Sequence, residues 1–319
     1  MSTPELGAAL ETIFQRRVMD LRRILCPYSS SFTIEELHVT FENAETMTTI
    51  FKNLNADAML EAARQAKPDF LYAPEREIQV YRALLSQLNS GAPQFYGAAV
   101  EPALQRYWLF LEKVPGCELY TIGEFETWLI VSRWLASFHS SCAANIPRSL
   151  APHLLEHDAT YYWRWLQRAH ESSGSILDEI AAKYYRVINV LLDLPRTLIH
   201  GEFYASNIIV QEQVKGLRVC PVDWEMAAIG PGLLDVAALT SGKWSREERF
   251  RMLEAYQSLV AQPLHSQDLI TAFECCRLQI ALQWLGWSQA WSPPQAHAHD
   301  WLAEALRISA EAPLASLFE

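Results

Sequence analysis

The chain has 319 residues, of which 50% are hydrophobic and 20% are charged. That balance excludes a largely disordered protein, and the length suggests about two domains or one domain with two lobes. The formal net charge of −11 argues against a nucleic-acid partner, because affinity for a phosphate backbone depends on basic patches.

The sequence contains neither the apolar stretch of a signal peptide nor a run of about 18 consecutive apolar residues. We therefore expect no membrane association. The six cysteines form neither a Cys-x-x-Cys pair nor a zinc-ligand spacing, which indicates a reduced, cytoplasmic protein. Nothing in the sequence specifies an oligomeric state.

The N-terminal region combines one helical pattern with two β-rich ones. Residues 7–25 predict a helix that ends before Pro27. Two β-rich runs, 32–41 and 47–54, are joined by a polar connection, and this arrangement predicts a β-hairpin.

Two helices and a strand are predicted next. Residues 57–67 have a helical pattern, and a second helix begins at Pro74, a position where the missing N–H of proline costs nothing. The apolar run 107–111 predicts a buried strand, which is followed by a turn-forming segment near 112–118.

After this turn-forming segment helical patterns predominate, and two short β-rich segments interrupt them. The predicted helices cover 125–138, 158–170, 175–192, 246–262 and 267–290, and the predicted strands cover 207–211 and 217–223. The sequence therefore predicts an α+β protein with a β-containing N-terminal part, residues 1–112, and a mostly helical C-terminal part, residues 113–319.

The polar residues around the two short strands are the strongest candidates for chemistry. Glu202 and Asn207 flank a loop that leads into an apolar strand, and Asp223 lies at the end of the next strand. Polar side chains at such positions cost burial energy unless they are paired or bind an ion. These three could supply oxygen ligands for Mg²⁺ and a carboxylate that orients a hydroxyl nucleophile. The alternative is that they only cap the loop and form turns.

Three short motifs occur in order around these residues. The first reads His200-Gly201-Glu202-Phe203-Tyr204-Ala205-Ser206-Asn207, and it is followed by Val222-Asp223-Trp224-Glu225, by Gly230 and by Asp235-Val236-Ala237. Together they resemble the aminoglycoside phosphotransferase and choline kinase-like superfamily, the small-molecule relatives of protein kinases. That family has His-Gly-Asp-x-x-x-x-Asn in the catalytic loop, and Ile-Asp-Trp-Glu followed by Gly and Asp-Leu-Ala in the metal-binding segment.

The resemblance implies a two-lobed protein-kinase-like fold with a small β-sheet N-lobe and a mostly helical C-lobe. It implies transfer of the γ-phosphate of ATP (or GTP), with Mg²⁺, to a hydroxyl of a small molecule such as an aminoglycoside-, choline- or natural-product-like acceptor. At the matching positions Glu202 would be the catalytic acid, and Asn207 and Asp223 would be the metal ligands. Asp235 would brace the catalytic loop and His200 would be structural.

The resemblance also implies a nucleotide site in the N-terminal part. Lys52, on the second β-rich run, stands where the family has the lysine that holds the ATP phosphates, and Glu77 on the next helix would be its partner. Glu112 and Val114 would belong to the hinge, whose backbone holds adenine. Without the resemblance, Lys52 could equally be a solvated lysine on a strand.

Two departures from the family pattern leave other functions open. Glu202 replaces an aspartate, and the added methylene moves the carboxylate by about 1.5 Å. Glutamate can still act as the catalytic acid if the backbone of the loop lies further back by the same distance, because phosphoryl transfer depends mostly on positioning and electrostatics. The predicted hairpin, which would be the phosphate-covering loop, contains no glycine, so its backbone N–H groups approach phosphates less easily. The alternatives are a pseudokinase that binds a ligand or partner without chemistry, and a kinase for a peptide or protein side chain.

Overall fold

The computed structural model describes residues 2–27, 31–88, 90–143, 145–287 and 299–319. The chain divides into two compact units. The first unit comprises the chain up to Cys117 together with Ile209–Glu225, and the second comprises Glu118–Ile208 together with Met226–Glu319. The division predicted at residue 112 differs in one main respect, because the segment that carries Asp223 groups with the first unit.

The secondary-structure elements are numbered in chain order. The strands are β1 (Val18–Leu25), β2 (Ile34–Phe41), β3 (Thr46–Asn53), β4 (Phe95–Glu101), β5 (Arg106–Glu112), β6 (Cys117–Glu118), β7 (Leu155–Glu156), β8 (Arg196–Ile199), β9 (Ile208–Gln213), β10 (Gly216–Pro221) and β11 (Ala228–Pro231). The helices are α1 (Thr3–Phe14), α2 (Glu61–Ala66), α3 (Glu75–Val80), α4 (Phe125–Ala143), α5 (Ala159–Ser173), α6 (Asp178–Asp193), α7 (Leu233–Leu239), α8 (Arg246–Gln257), α9 (Ser266–Trp287), α10 (Trp301–Ala310) and α11 (Leu314–Phe318).

The prediction of one helix over 7–25 is wrong in its second half. Helix α1 ends at Phe14, and Gln15 takes a left-handed conformation with φ of 53°. The chain then continues as β1, which pairs antiparallel with β2. The spacing of Val18, Leu21 and Leu25 imitates a helical stripe, but this strand lies at the edge of its sheet and lacks a clean alternation of buried and exposed residues.

The first unit is built on a five-stranded sheet with the strand order β1-β2-β3-β5-β4. The predicted hairpin is confirmed as β2 and β3, and the predicted buried strand is confirmed as β5. Residues of α1 and of the central strands form one apolar cluster, which includes Leu6, Leu10, Leu37, Val39, Phe41, Phe51, Trp108 and Phe110. Each such side chain contributes about 1.5–3 kcal/mol by leaving water, so this cluster fixes the sheet on which Lys52 lies.

The second unit is mostly helical, as predicted. Helices α4, α5, α6, α8 and α9 correspond to the five helical patterns in the sequence, and residues 288–290 of the last predicted helix lie outside the described residues. A small sheet, in the order β7-β11-β8, lies among these helices. Helix α5 packs on α9, and the ring of the fully buried Trp165 on α5 lies 5.7 Å from that of Trp287 on α9.

None of the helices in the described part of the chain is both long and apolar enough to cross a membrane.

Candidate active site

A cluster of three charged side chains lies in the first unit. Lys52 is on β3 and Glu77 is on α3, and both are buried. The Lys52 Nζ donates hydrogen bonds to both carboxylate oxygens of Glu77, at 2.8 Å each, and to Oδ1 of Asp223 at 2.7 Å. The pairing of Lys52 with Glu77 is therefore present, whereas the roles of both residues toward a nucleotide stay predictions.

The two carboxylates determine the charge state of Lys52. Burial alone would lower the pKa of Lys52, but the carboxylates of Asp223 and Glu77 outweigh it and raise that pKa, so the ammonium stays charged. Burial raises the pKa of Glu77 to about 7, and the charge of Asp223 adds to this rise while Lys52 opposes it. One buried ammonium thus binds two carboxylates.

Asp223 lies in a strained turn directly after β10. Its φ of 68° is in the left-handed region, which non-glycine residues rarely adopt and which is concentrated at functional sites. The turn is held on both sides, because the backbone N–H of Trp224 donates to Glu77 Oε1 at 3.3 Å and its buried indole Nε1 donates to the Pro221 carbonyl at 3.2 Å. The strain is thus maintained by contacts on either side of the carboxylate.

The predicted hinge residues are Glu112 and Val114. The Glu112 side chain is occupied, because its carboxylate accepts hydrogen bonds from Arg218 at 2.7 and 2.9 Å, and these bonds are the main cause of its lowered pKa. Its backbone N–H donates to the Gln94 carbonyl at 2.9 Å. Val114 is buried, and its role toward adenine stays a prediction.

The catalytic-loop motif lies in the second unit, between β8 and β9. Both carboxylate oxygens of the buried Asp235 accept backbone hydrogen bonds from the loop, from His200 N at 2.7 Å and from Gly201 N at 3.0 Å. Asp235 Oδ2 also contacts His139 Nε2 at 3.2 Å, and the other ring nitrogen of His139 is 3.1 Å from the Tyr256 hydroxyl. The expectation that Asp235 braces this loop is confirmed.

Gly201 is required by a close approach of two backbone segments. Its φ is +84°, and a Cβ at this position would lie 2.3 Å from the carbonyl oxygen of Met226. Real Cβ atoms do not approach backbone so closely, so only glycine fits here. The loop that carries Glu202 is therefore held against the chain that follows the metal-binding motif.

Glu202 and Asn207 belong to one tight turn. Asn207 Nδ2 donates to the carbonyl oxygen of Glu202 at 3.0 Å, so the amide oxygen of Asn207 is the atom left to serve a cation. Tyr204, inside the turn, donates its backbone N–H to the same carbonyl at 2.7 Å, and its hydroxyl accepts from the indole of Trp284 at 2.7 Å. Burial chiefly raises the pKa of Tyr204 well above its ordinary value, so this phenol stays neutral.

The described residues contain no group of three or more His, Cys, Asp or Glu side chains that could hold a metal ion. The predicted ligands are instead one carboxylate, Asp223, and one amide, Asn207. Both are hard oxygen donors of the kind that Mg²⁺ prefers, and Mg²⁺ usually takes only one or two carboxylates from a protein. The donor types therefore fit Mg²⁺.

The tip of the glycine-free hairpin lies far from Lys52. Lys52 pairs with Ile34, at the end of β3 that is remote from the hairpin tip, and Thr46 at the tip lies six residues away, or about 20 Å along the strand. Arg16 holds the tip through Asn43 at 2.6 Å and Glu45 at 2.9 Å. The tip is therefore too distant to cover phosphates that Lys52 is predicted to hold, and its lack of glycine does not argue against nucleotide binding at Lys52.

Several residues that hold these groups in place have no signal in the sequence. His139, Tyr256 and Arg218 carry no local motif, and each acts through a partner at least 96 residues away in sequence. A single polar residue within an apolar stretch of sequence is the feature that could indicate them, and this feature is a weak signal without the fold.

Comparison with known proteins gives the class of this protein. The profile of the phosphotransferase enzyme family (APH) matches residues 53–266. This match covers more than half of the chain, and the chain therefore belongs to the phosphotransferase enzyme family. No curated protein matches it in sequence.

Solved structures with the same fold include three kinases or transferases of small molecules. A microcompartment-associated aminopropanol kinase is 16% identical, with a TM-score of 0.67 and 98% of each chain covered. A choline/ethanolamine kinase family protein from Mesorhizobium loti is 14% identical, with a TM-score of 0.63, 100% of this chain and 98% of that chain covered. The GDP complex of aminoglycoside 2'-phosphotransferase-IIIa is 14% identical, with a TM-score of 0.60, 100% of this chain and 99% of that chain covered.

These similarities confirm the fold class that the sequence predicts. The protein has an α+β fold with a β-sheet N-lobe and a mostly helical part, as aminoglycoside phosphotransferases and choline kinases do. At identities of 14% to 16% the solved structures share a fold with this chain, and the acceptor must be argued separately.

Proposed function

We propose that this protein transfers the γ-phosphate of ATP to a hydroxyl group of a small molecule. The cluster of Lys52, Glu77 and Asp223 is the observation that supports this function most directly. A buried ammonium that two carboxylates hold in one direction suits a site for phosphates, and the Asp223 carboxylate is a ligand of the type that a divalent ion takes. Membership of the phosphotransferase enzyme family gives the same reaction class.

In the first unit, Lys52 would bind the α- and β-phosphates, and Glu77 would fix the direction of its ammonium. The adenine would be held by backbone groups of the hinge, with the carbonyl of Glu112 as acceptor and the N–H of Val114 as donor. Asp223, with Asn207 of the second unit, would hold Mg²⁺. When bound, this ion would neutralise the charge on the β- and γ-phosphates.

In the second unit, Glu202 would orient the acceptor hydroxyl and take its proton as the new O–P bond forms and the bond to the leaving nucleotide breaks. Because Asp235 and Gly201 fix the backbone of the loop, the carboxylate of Glu202 is presented from a rigid support. The extra methylene of Glu202 moves its carboxylate by about 1.5 Å, and the position of the loop backbone would compensate for this displacement.

The acceptor class rests on the chemistry of the structural neighbours. They include an aminopropanol kinase, an ethanolamine kinase and an aminoglycoside 2'-phosphotransferase, and their names share a hydroxyl on an amine-bearing small molecule. We therefore extend the proposal to amino alcohols as the first acceptors to test. GTP is a second phosphate donor to test, because one neighbour is bound to GDP.

The test is Mg²⁺-dependent release of ADP with a panel of amino alcohols and aminoglycosides. We expect Asp223→Ala to reduce kcat/KM by about 10³-fold, because it removes the carboxylate predicted to hold the ion. Asp178→Ala, at an exposed position in the second unit, is the control and should keep full turnover. Turnover that persists in Asp223→Ala would contradict the assigned role.

Glu202 supports a second candidate, a module that binds nucleotide without transferring phosphate. The aspartate of the family loop is replaced here, and a misplacement of about 1 Å can reduce a rate about 100-fold. A rise in melting temperature with MgATP, without turnover for any acceptor, would favour this candidate. Turnover that Glu202→Gln abolishes would favour the enzyme.

A further inference from the structure

The second unit contains a cavity of about 150 Å³, and neither Glu202 nor Asn207 lines it. Its walls come from the last turns of α4 and α8, from the chain that follows α8, from β8 and from the connection between β11 and α7. Most of the lining residues are apolar, and they include Leu194, Leu233 and Val260. A cavity of this volume takes a molecule of about the size of a benzene ring.

Hydrogen bonds fix the chain that follows α8 against the other walls of this cavity. The Ser140 hydroxyl, on α4, accepts from the Ala261 N–H at 2.9 Å. The Gln257 Oε1, at the end of α8, accepts from the Leu264 N–H at 3.1 Å. The segment is thus tied to two helices. A cavity whose walls are already in place costs little conformational freedom when a ligand enters it.

The charged and ionisable groups of the lining favour an uncharged ligand. Arg196 is paired with Glu156, and its guanidinium also donates to the carbonyls of His157 at 3.0 Å and Ile229 at 2.9 Å. Burial raises the pKa of Tyr256 well above its ordinary value, so this phenol stays neutral. A charged ligand would lose its hydration here without gaining a counter-charge of its own.

Gln257 offers one polar group to a ligand in this cavity. Its Oε1 is bonded to the Leu264 N–H, whereas its Nε2 has no acceptor within the part of the chain that the structure describes. The NH₂ group of an amide is a donor, so it fits a carbonyl or ether oxygen. Volume, charge and this donor together define an uncharged ring with one hydrogen-bond acceptor.

The buried wall of the cavity belongs to the brace of the catalytic loop. His139 and Tyr256 both line the cavity, and they contact each other at 3.1 Å. The other ring nitrogen of His139 lies 3.2 Å from Asp235, which holds two backbone amides of the loop. A Cβ at Gly232 would lie 2.5 Å from the Tyr256 hydroxyl, so the backbone packs closely against this pair. Because the cavity has its shape only while the pair is assembled, a ligand favours the braced loop.

We propose that this cavity binds a small uncharged molecule, an apolar ring that carries one hydrogen-bond acceptor, and that the bound molecule stabilises the Asp235 brace through Tyr256 and His139. Binding in the cavity is independent of the proposed function. The effect of binding on turnover rests on the proposed function, because the braced loop carries Glu202.

The first test is titration of the full chain with acetophenone, an uncharged ring with one carbonyl, followed by NMR of the backbone amides. We expect saturable shifts at Val260 and Ala261, with a dissociation constant of about 1 mM for a ligand of this size. Ala261→Trp places a ring at an exposed part of the lining and should weaken binding about tenfold. Ala182→Trp, at an exposed position on α6, is the matched control and should bind as the wild type does. Shifts that do not saturate, or equal binding in Ala261→Trp, would overturn the proposal.

The second test concerns the chemical class of the ligand. Toluene lacks the acceptor and should bind about fivefold more weakly than acetophenone. In Gln257→Glu, which keeps an oxygen for the Leu264 N–H, acetophenone should lose this advantage. An advantage that survives would overturn the role of Gln257. Benzoate or benzylamine that shifts Val260 at lower concentration than acetophenone would overturn the uncharged class.

The third test concerns the link to the catalytic loop. The amides of His200 and Gly201, which Asp235 holds, should shift with the same dissociation constant as Val260. Tyr256→Phe keeps the ring but removes the contact with His139, so it should bind acetophenone without these loop shifts. Binding that leaves both loop amides unshifted in the wild type would overturn the link.

Turnover gives a further readout where an acceptor is found. Saturating acetophenone should raise kcat about twofold and leave the KM for MgATP unchanged, because the loop that carries Glu202 is held more firmly. An unchanged or lower kcat would overturn the effect on turnover. If the wild type turns over no acceptor, the proposed function fails, but the amide shifts still decide whether the cavity binds the ligand and acts on the loop.

Discussion

The two clusters of predicted site residues hold their charged groups in different ways. In the first unit, the ammonium of Lys52 binds two carboxylates, Glu77 and Asp223. In the second unit, one carboxylate, Asp235, accepts from two backbone amides and contacts a histidine that is itself bonded to Tyr256. The first cluster joins side chains to one another, whereas the second fixes the backbone of a loop.

The difference indicates what each cluster fixes. The Lys52 ammonium connects side chains of β3, of α3 and of the turn after β10, so its stability depends on the balance of charge. The Asp235 carboxylate binds backbone amides, so it acts as a rigid support for the loop that carries Glu202.

The largest effect on stability is expected for Lys52. Lys52→Met leaves the carboxylates of Glu77 and Asp223 together without an ammonium, and breaking such a buried pair costs about 3–5 kcal/mol. Urea unfolding of the free protein should show this loss. Adding Glu77→Leu should restore much of the stability, because the more deeply buried of the two carboxylates is then gone, but should not restore nucleotide binding. A Lys52→Met variant as stable as the wild type would contradict the difference drawn between the Lys52 cluster and the Asp235 brace.

A smaller loss is expected in the brace of the second unit. Asp235→Asn keeps the shape but turns an NH₂ group toward one of the two loop amides, leaving a buried donor unpaired at a cost of about 2–3 kcal/mol. The stability difference between Asp235→Asn and the wild type should persist at saturating MgATP, and kcat should fall more than the KM for MgATP changes. Thermal unfolding of both proteins with and without nucleotide measures this difference. Equal stability of the two proteins with nucleotide would show that the brace depends on the ligand.

The smallest effect concerns pH and a buried histidine of the second unit. Burial lowers the pKa of His157 to about 3, and neither ring nitrogen has a partner among the described residues. Because the folded-state pKa lies below the unfolded value of about 6.5, this contribution to stability is complete above pH 6.5 and is lost as the pH falls. Between pH 6.5 and pH 5 the loss is about 2 kcal/mol.

His157→Phe removes this titration and should flatten the dependence of stability on pH over that range. His170→Gln is the control, because His170 is exposed and bonded to Asp178 at 2.7 Å, and its replacement should leave the slope unchanged. Urea unfolding at several pH values checks both variants. A slope that survives in His157→Phe would assign the acid sensitivity to other groups.

The sequence predicts the elements that have a clear period and misses an edge strand. The strands around Lys52 and the long helices of the second unit have clean patterns, and they are present. The sequence predicts a helix for residues 18–25, because Val18, Leu21 and Leu25 follow a helical spacing by chance. An edge strand buries neither face fully, so buried and exposed residues do not alternate clearly along β1. Its pairing with β2 makes this segment a strand.

Residues of the site can be predicted from the sequence where they belong to a motif. They cannot be predicted where contacts between residues far apart in sequence hold them in place. Lys52, Glu77 and Asp223 follow from position within a known pattern, and the structure brings them into contact. His139 and Tyr256 do not, because His139 lies 96 residues from Asp235 and 117 residues from Tyr256 in sequence.

The most direct test of this account is calorimetric titration of the wild type with ADP, in the presence and absence of Mg²⁺. The account predicts that Mg²⁺ strengthens binding of ADP, that Asp223→Ala removes the effect of Mg²⁺, and that Asp235→Asn retains it. Binding of ADP that is indifferent to Mg²⁺ in the wild type, or no binding at all, would contradict the claim that Lys52, Glu77 and Asp223 form a metal–phosphate site.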